Sequence, residues 1–224
     1  MQTASGAAKI AAIRDSEQIE RADIWDNRGR PLGVVRKRVR FIRPSYLRVD
    51  QVGPGDTYVL YFDGTSGWEI LPDKTFAVLS GGELKFAQGY LRGVQGLDST
   101  LADRDPNNIF TSPSPNVIDI TNTNDPSRKT EITLDPATFL PLKETGISLA
   151  DPDHPVASET RFEHWHEVGG MKVAGRIIKF HDGKKVAEIT VEKTSRNSGL
   201  KPADLAVKPP DLKPVMSPGM TSRS

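Results

Sequence analysis

The sequence predicts an α+β fold in which an antiparallel β-sheet is accompanied by an N-terminal helix and by inserted helices. Helix-forming residues open the chain, and a series of short segments with period-two alternation follows them. A glycine-interrupted segment with helical spacing then separates these strands from a second strand-rich region. The chain has 224 residues, which is the length of one large β domain.

The N-terminal helix is predicted over residues 6–24. Alanine occurs four times between positions 7 and 12, and it has the highest helix propensity of all residues. Ile10 and Ile13 lie three residues apart, so they would share one face of the helix. The segment 27–31, which contains Gly29 and Pro31, indicates the turn that follows.

Four strands are predicted next, because the apolar residues now recur with a period of two. Between residues 32 and 41, valine and phenylalanine alternate with arginine, which is typical of a strand with one apolar and one charged face. Pro44 ends this strand because proline cannot donate to the ladder. Turn signals at Gly53–Asp56 and Asp63-Gly64 predict neighbouring antiparallel strands. The predicted strands cover residues 32–41, 46–52, 58–62 and 68–71.

Residues 82–101 break the strand pattern. Leu84, Leu91 and Leu101 belong to an apolar series with spacings of three and four, which indicates an amphipathic helix. Three glycines between positions 89 and 96 predict that it is interrupted or divided into two short helices. Residues 103–115 are predicted to be a loop.

A second β region occupies most of the remaining chain. Its turns are indicated by Asn124-Asp125-Pro126, Asp135-Pro136, Gly169-Gly170 and Asp182-Gly183. Beyond Gly199 the chain is rich in proline, and residues 210–224 are predicted to be an extended or disordered tail. The predicted strands cover residues 117–121, 129–134, 140–147, 158–168, 171–181 and 184–193.

Composition excludes several functional classes. The chain has no cysteine, which excludes disulfides, thiolate metal sites and cysteine nucleophiles. Its net charge is +1, so it lacks the basic excess of a nucleic-acid-binding protein. No apolar run reaches the 18 or so residues that a transmembrane helix needs. Residues 4–13 are too short for a signal peptide and contain Lys9. Met1 could therefore mark a native cytosolic start or stand where an export signal was removed.

Two polar motifs could in principle bind a ligand. Arg36, Arg38 and Arg40 form one charged strand face, which could meet nucleic acid or anionic lipid. No aromatic residue interleaves with them, which favours a solvated outer face. His164 and His166 share a strand face and could hold a metal, although a zinc site needs three or four ligands. Further ligands would have to come from a neighbouring strand or from His154, His181 or Glu159. The simpler interpretation is a solvated face with no metal.

No catalytic signature is present. The sequence contains no nucleophile elbow, phosphate loop, dinucleotide fingerprint or zinc-binding helix of the histidine–glutamate type. We therefore expect a protein that is not an enzyme and has no cofactor.

Several motifs together resemble the family of outer-membrane lipoprotein carriers and sorting proteins, the LolA/LolB-like fold. Arg43-Pro44 ends one strand, and after a further strand Asp63-Gly64, Trp68 and Pro72 follow at spacings similar to those of the family. Three later segments resemble strand–turn–strand segments of its relatives: Leu134–Pro141, Gly169–Val173 and Asp182–Lys184. The resemblance covers residues 6–209 and identifies residues 1–209 as a single domain of this type.

The resemblance implies a strongly curved antiparallel sheet, an incomplete barrel whose open face is covered by helices. It also implies an apolar concave side that binds acyl chains, and a periplasmic or exported location. Arg43 matches an arginine that faces inward and holds the helical lid closed in the carriers. At this position it could tether a lid helix, contact a ligand headgroup, or extend to solvent from the strand end.

Large apolar side chains are the candidates for the lining of the cavity, with ordinary core packing as the alternative for each. Together with Arg43, the predicted ligand-binding residues are Phe41, Tyr61, Phe62, Trp68, Phe86, Leu91 and Trp165.

Three functions remain open. The first is a periplasmic module that shelters a lipid, an acyl chain or a lipidated protein. The second is an envelope protein-interaction or sensor module on the same fold, with the proline-rich tail as a tether. The third is a metal-dependent enzyme that uses His164 and His166.

Overall fold

The structure is a computed structural model that describes residues 7–53, 57–97, 99–125, 129–148, 155–210 and 212. These residues form one antiparallel sheet of thirteen strands, three α-helices and a 3-10 helix. The predicted tail, residues 210–224, lies outside the described residues except for positions 210 and 212.

The strands divide into two groups along the chain. The first group is β1 (Asp15–Trp25), β2 (Pro31–Ile42), β3 (Tyr46–Val52), β4 (Thr57–Phe62), β5 (Gly67–Ile70) and β6 (Phe76–Val78). The second is β7 (Asn108–Thr111), β8 (Val117–Asn122), β9 (Lys129–Leu134), β10 (Pro141–Ser148), β11 (Val156–Val168), β12 (Met171–His181) and β13 (Lys184–Arg196). The helices are α1 (Ala7–Ala11), α2 (Gly81–Val94) and α3 (Pro202–Leu205), and the 3-10 helix is Ala102–Arg104.

β1 and β13 lie side by side in the middle of the sheet. In space the strands run β6-β5-β4-β3-β2-β1-β13-β12-β11-β10-β9-β8-β7. The first group therefore extends to one side of β1, and the second group returns to it from the opposite edge. The two edge strands, β6 and β7, are consecutive in the chain, so the segment between them, which carries α2, connects the two edges of the sheet. The sheet is curved and does not close into a barrel.

Helix α2 packs against β3 and β4 and defines the inner face of the sheet. Its buried residues, Ala87 and Leu91, join a core formed by alternate residues of β2, β3 and β4. Burial of a leucine or phenylalanine side chain contributes about 1.5–3 kcal/mol, so this core holds the helix on the sheet. The core consists of Ile13, Val39, Phe41, Leu47, Val49, Leu60, Phe62, Leu79, Ala87, Leu91 and Met171.

The outer face is the opposite face of the sheet, and the chain covers it after β13. Leu205 of α3 is fully buried against Val59, Tyr61, Trp68 and Ile70. Arg48 secures this segment, because its Nη1 donates to the carbonyl oxygens of Leu205, at 2.8 Å, and Val207. The segment after β13 is therefore part of the folded domain.

Most predicted strands are confirmed within three residues at each end, and the turn at Asp63-Gly64 is confirmed with a φ of +104° at Gly64. The prediction of one helix over residues 6–24 is wrong beyond Ala11, because residues 15–25 form β1. Polar residues dominate this strand, so it lacks a clear apolar alternation. Pairing with β2 on one side and β13 on the other satisfies its backbone, and this tertiary pairing outweighs local propensity.

The inserted helical region is also shorter than predicted. Helix α2 ends at Val94, and Gly96 follows with a φ of +75°, a conformation that glycine adopts without steric strain. Residues 108–111, predicted as loop, form β7, and β6 was not predicted. Both are edge strands of three or four residues, which is too short for a period-two pattern to be recognised.

Candidate functional site

Three of the predicted ligand-binding residues meet beneath α2. Phe41 of β2, Phe62 of β4 and Leu91 of α2 are buried in the same core on the inner face. Phe86 lies on the exposed side of the helix, where its ring contacts Tyr90 edge-on with 5.9 Å between ring centres. The first three residues thus belong to the closed contact between helix and sheet, and Phe86 lies at its surface.

Arg43 connects the end of β2 to the end of α2. Its Nη2 donates to the main-chain carbonyl of Gln95 at 2.7 Å, and Gln95 Nε2 donates to the Pro44 carbonyl at 2.9 Å. Gln95 is the C-terminal cap of α2 and is buried. Burial, followed by the charge of Arg104, lowers the pKa of Arg43. Of the alternatives for this residue, the tether to a lid helix is the one that these contacts match.

Tyr61 and Trp68 do not join this set, because they lie on the outer face. They are cross-strand partners in β4 and β5, and their rings stack with 5.2 Å between centres. Both pack against Leu205. Since neighbouring residues of a strand point to opposite faces, Tyr61 and Phe62 cannot line the same cavity. The prediction of one shared lining was therefore wrong for Tyr61 and Trp68.

Trp165 lies away from the core beneath α2. Its Nε1 donates to the Pro141 carbonyl at 3.2 Å. It lines a separate open depression of about 490 Å³ with Leu140, Leu142 and Lys172. Phe139, at the turn between β9 and β10, is 51% exposed and has a φ of +56°, which is unusual for a bulky residue. This exposed aromatic residue was not recognised in the sequence.

An apolar row crosses the inner face next to the part covered by α2. It consists of direct cross-strand partners in five strands that are neighbours in the sheet. Val39 belongs to the inner-face core, and Val35 lies an even number of residues from it on the same strand, so the row is on the inner face. The row runs Val35, Ala22, Ile189, Ile177, Phe162.

Burial changes along this apolar row. Val35, Ala22 and Ile189 are buried, whereas Ile177 and Phe162 are only half-buried. On the same face of β12 and β13, Val173 and Val191 are also half-buried. The apolar surface therefore continues from the covered half of the sheet into a half where it is incompletely covered.

Charged groups border the apolar row. Lys37 is the cross-strand partner of Glu20, two residues along β2 from Val35, and is half-buried. Glu20 Oε1 accepts a hydrogen bond from Gln18 Nε2 at 2.8 Å. Burial is the largest cause that lowers the pKa of Lys37; the charge of Lys179 adds to it, and Glu20 opposes it. Burial and the charge of Glu20 raise the pKa of Tyr90 on α2.

The charged strand face of β2 is on the outer side, where Arg36 and Arg38 are exposed as expected, whereas Arg40 is buried. Arg38 pairs with Glu17, and Arg40 pairs with Asp50 at 2.6 Å. Arg48 also pairs with Asp50, and both Arg40 and Arg48 are buried. These arginines contribute to the ion pairs and to the attachment of the C-terminal segment.

His164 and His166 lie on β11 and are exposed. His166 Nδ1 lies 3.2 Å from the carbonyl oxygen of His164. Among the described residues, no group of three or more histidine, aspartate or glutamate side chains is arranged to hold a metal ion. His154, one of the possible further ligands, lies outside the described residues. Across the described chain, no helix is long and apolar enough to span a membrane.

Comparison with known proteins gives a match in structure and none in sequence. No family model matches the chain, and no curated protein matches it. A LolA superfamily protein from Nitrosomonas europaea superposes with a TM-score of 0.59 at 14% identity, over 92% of this chain and 97% of that one. A DUF1329 family protein from Desulfovibrio piger gives a TM-score of 0.58 at 14% identity, over 88% and 92% of the two chains.

A third structure is a domain from Vibrio parahaemolyticus that is provisionally named for outer-membrane lipoprotein sorting. It superposes with a TM-score of 0.56 at 14% identity, over 89% of this chain and 94% of that one. The fold of the chain is therefore the LolA-like open barrel, and the predicted fold class is confirmed.

Proposed function

We propose that the protein is a non-enzymatic binding protein that shelters a lipid, an acyl chain or a lipidated partner on the inner face of its sheet. The observation that carries this proposal is the apolar row from Val35 to Phe162, which is buried at one end and half-exposed at the other. A soluble domain that had no ligand for this surface would gain stability by covering it.

The energetics favour a long apolar ligand. Burial of apolar surface contributes about 25 cal/mol per Å², or about 0.8 kcal/mol for each buried methylene group. Association opposes this with about 4–15 kcal/mol of lost translational and rotational freedom. A short alkyl group would therefore bind weakly, and each added methylene that reaches the row would tighten binding about fourfold.

Helix α2 would act as the lid. It covers the half of the inner face next to the apolar row, and Arg43 and Gln95 fasten its C-terminal end to the turn after β2. If the lid opened, Phe41, Phe62 and Leu91 would add to the apolar surface. We therefore retain these three residues and Arg43 as proposed site residues, and we add Ile177 and Phe162.

Export to the periplasm is part of the proposal. The Vibrio parahaemolyticus domain of the same fold is named for outer-membrane lipoprotein sorting, which supports this location. We further propose that residues 1–209 act as one binding domain and that residues 210–224 are a tail.

A protein-interaction module on the same fold is the second candidate. It is favoured by the exposed Phe139 and Leu142 beside the depression that Trp165 lines. Phe139→Asn should then abolish the recovery of a cross-linked partner from envelope extracts and leave apolar probe binding unchanged. If the variant recovers the same proteins as the wild type, this candidate is wrong.

The proposal can be tested by binding of an apolar fluorescent probe to lipid-free protein. Ile177→Asn places a polar group in the apolar row and should weaken probe binding about tenfold or more, because polar groups are excluded from an apolar contact unless they are hydrogen-bonded. Ile19→Asn is the matched control, since Ile19 is also half-buried but lies on the outer face opposite Arg38. Equal effects of the two substitutions, or no binding by the wild type, would contradict the proposal.

A further inference from the structure

Lys37 occupies an unusual position for a lysine. Its cross-strand partner is Glu20, and the neighbouring inner-face pair along the same two strands is Val35 and Ala22, two buried members of the apolar row. The lysine therefore emerges from the inner face at the border of the row, on the side of the core beneath α2. Its side chain is half-buried.

The ammonium group of Lys37 has no partner within the described residues. It makes no hydrogen bond and no ion pair within 4.0 Å there, although Glu20 is its neighbour. The Glu20 carboxylate is instead engaged by Gln18, at 2.8 Å. The outer face of the same strand differs, because Arg38 and Arg40 both pair with carboxylates. The missing partner is thus a local property of the inner face.

The other lysine near the row, Lys179, does not share this position. It lies on β12, is exposed, and is paired with Ala187, whose partner on β1 is Ile24. Ile24 and Glu20, the partner of Lys37, lie on opposite sides of Ala22 along β1, so Lys179 is at the opposite border of the row. Burial, followed by the charge of Lys179, lowers the pKa of Lys37. Lys37 is therefore the unpaired cation at the β2 end of the row. A partly desolvated and unpaired charge is unfavourable, and an anionic ligand would compensate it.

We propose that Lys37 binds the anionic group, a carboxylate or a phosphate, of an amphiphile whose hydrocarbon chain lies along the apolar row. This inference rests on the proposed function, and it adds the chemical class of the ligand. Five adjacent strands span four interstrand spacings, about 19 Å. One leaflet of a bilayer has a hydrocarbon thickness of about 15 Å. A single acyl chain is therefore about as long as the row, which begins beside Lys37 on β2.

The test compares three probes with the same twelve-carbon chain on lipid-free full-length protein. Dodecanoate carries a carboxylate, dodecyl phosphate carries a phosphate, and dodecanol is neutral. The wild type should bind at least one anion about fivefold or more tightly than dodecanol, as one partly desolvated ion pair provides. The anion that is preferred identifies the source of the negative group as a fatty acid or a phosphorylated lipid.

The variants assign this preference to Lys37. Lys37→Met keeps an apolar stem of similar length and removes the charge. It should abolish the preference for anions and leave dodecanol binding unchanged or tighter, whereas Lys37→Arg should retain the preference. Lys37→Gln also removes the charge and serves as a second test if Lys37→Met does not fold. Lys193→Met is the control, because Lys193 is exposed and is paired with Ile19 of the outer face.

Two results would overturn the inference and leave the proposed function intact. One is equal binding of dodecanol and both anions by the wild type. The other is an equal loss of all three probes in Lys37→Met. If none of the probes binds to the wild type, the proposed function itself fails, and the inference fails with it.

Discussion

Arg43 and Gln95 are joined by a reciprocal contact. The Arg43 guanidinium donates to the Gln95 carbonyl at 2.7 Å, and the Gln95 side chain donates to the Pro44 carbonyl, next to Arg43, at 2.9 Å. The pair links the turn after β2 with the C-terminal cap of α2. It therefore fastens the covering helix at one end, while buried apolar residues hold its middle.

Arg43→Met should loosen α2. The Gln95 carbonyl would lose a charge-assisted hydrogen bond, so we expect a loss of about 1–2 kcal/mol in the free energy of unfolding, or about 2–8 °C in Tm. Amide hydrogen exchange should accelerate at the C-terminal end of α2. Arg36→Met, an exposed outer-face control, should stay within about 0.5 kcal/mol of the wild type. Unchanged exchange in α2 would mean that Arg43 is not the tether.

The segment after β13 should contribute strongly to stability. Leu205 has 0% of its surface exposed, so Leu205→Ala should lower the free energy of unfolding by about 2–5 kcal/mol. Val207 is 60% exposed, and Val207→Ala should change it by less than about 0.5 kcal/mol. Urea unfolding of both variants checks the prediction, and equal effects would show that the segment does not pack as described.

Asp63 should stabilise the turn between β4 and β5 in a pH-dependent way. Desolvation raises the pKa of Asp63, but hydrogen bonds from Ser66 and Thr65 lower it by more. The resulting pKa is about 2. A carboxyl group whose pKa is lowered by folding stabilises the folded state at any pH above its pKa in the unfolded chain, about 3.9. This contribution disappears as the pH falls through the pKa of the folded state.

Asp63→Asn should therefore lower stability by about 1 kcal/mol at neutral pH, after allowance for solvent screening. The difference from the wild type should vanish between about pH 4 and pH 2. Asp103→Asn is the control, because Asp103 is exposed. A difference for Asp63→Asn that stays constant over this range would contradict the assignment.

Lys37 should destabilise the ligand-free protein. Its lowered pKa has burial as its largest cause, so the folded state binds the proton less tightly than the unfolded state does. The penalty is complete below the folded pKa and disappears as the pH rises through the unfolded value of about 10.4.

Lys37→Met should therefore raise the Tm of lipid-free protein at neutral pH by about 2–4 °C, which corresponds to about 1 kcal/mol. This gain should shrink as the pH approaches about 10. Lys193→Met should show no such trend. A loss of stability in Lys37→Met at neutral pH would mean that the ammonium has a partner in the fold.

The sequence predicted the architecture well because its turns and alternation are local signals. Asp63-Gly64 and Gly169-Gly170 bound the hairpins that the structure contains. The identity of β1 could not be found in this way, because its central position depends on pairing with β13, more than 150 residues later in the chain. The high helix propensity of residues 7–12 led to a predicted helix that continued, wrongly, into the residues of this strand.

The candidate site was only partly predictable. Phe41, Phe62 and Leu91 are in one core, which matches the alternative of ordinary core packing and leaves ligand binding by them a prediction. Tyr61 and Trp68 are covered on the other face by a segment that begins after β13. The period-two rule applied to Tyr61 and Phe62 would have separated them in advance. The apolar row was not predictable, since it joins single residues of five strands through their register.

The most direct test of the central claim is native mass spectrometry of the full-length protein purified from cells, followed by solvent extraction and lipid analysis. The account predicts a bound species with the mass of a lipid or acyl chain that is released on denaturation, and its reduced occupancy in Ile177→Asn but not in Ile19→Asn. A mass equal to that of the polypeptide alone, together with no uptake of added dodecyl probes, would contradict the claim.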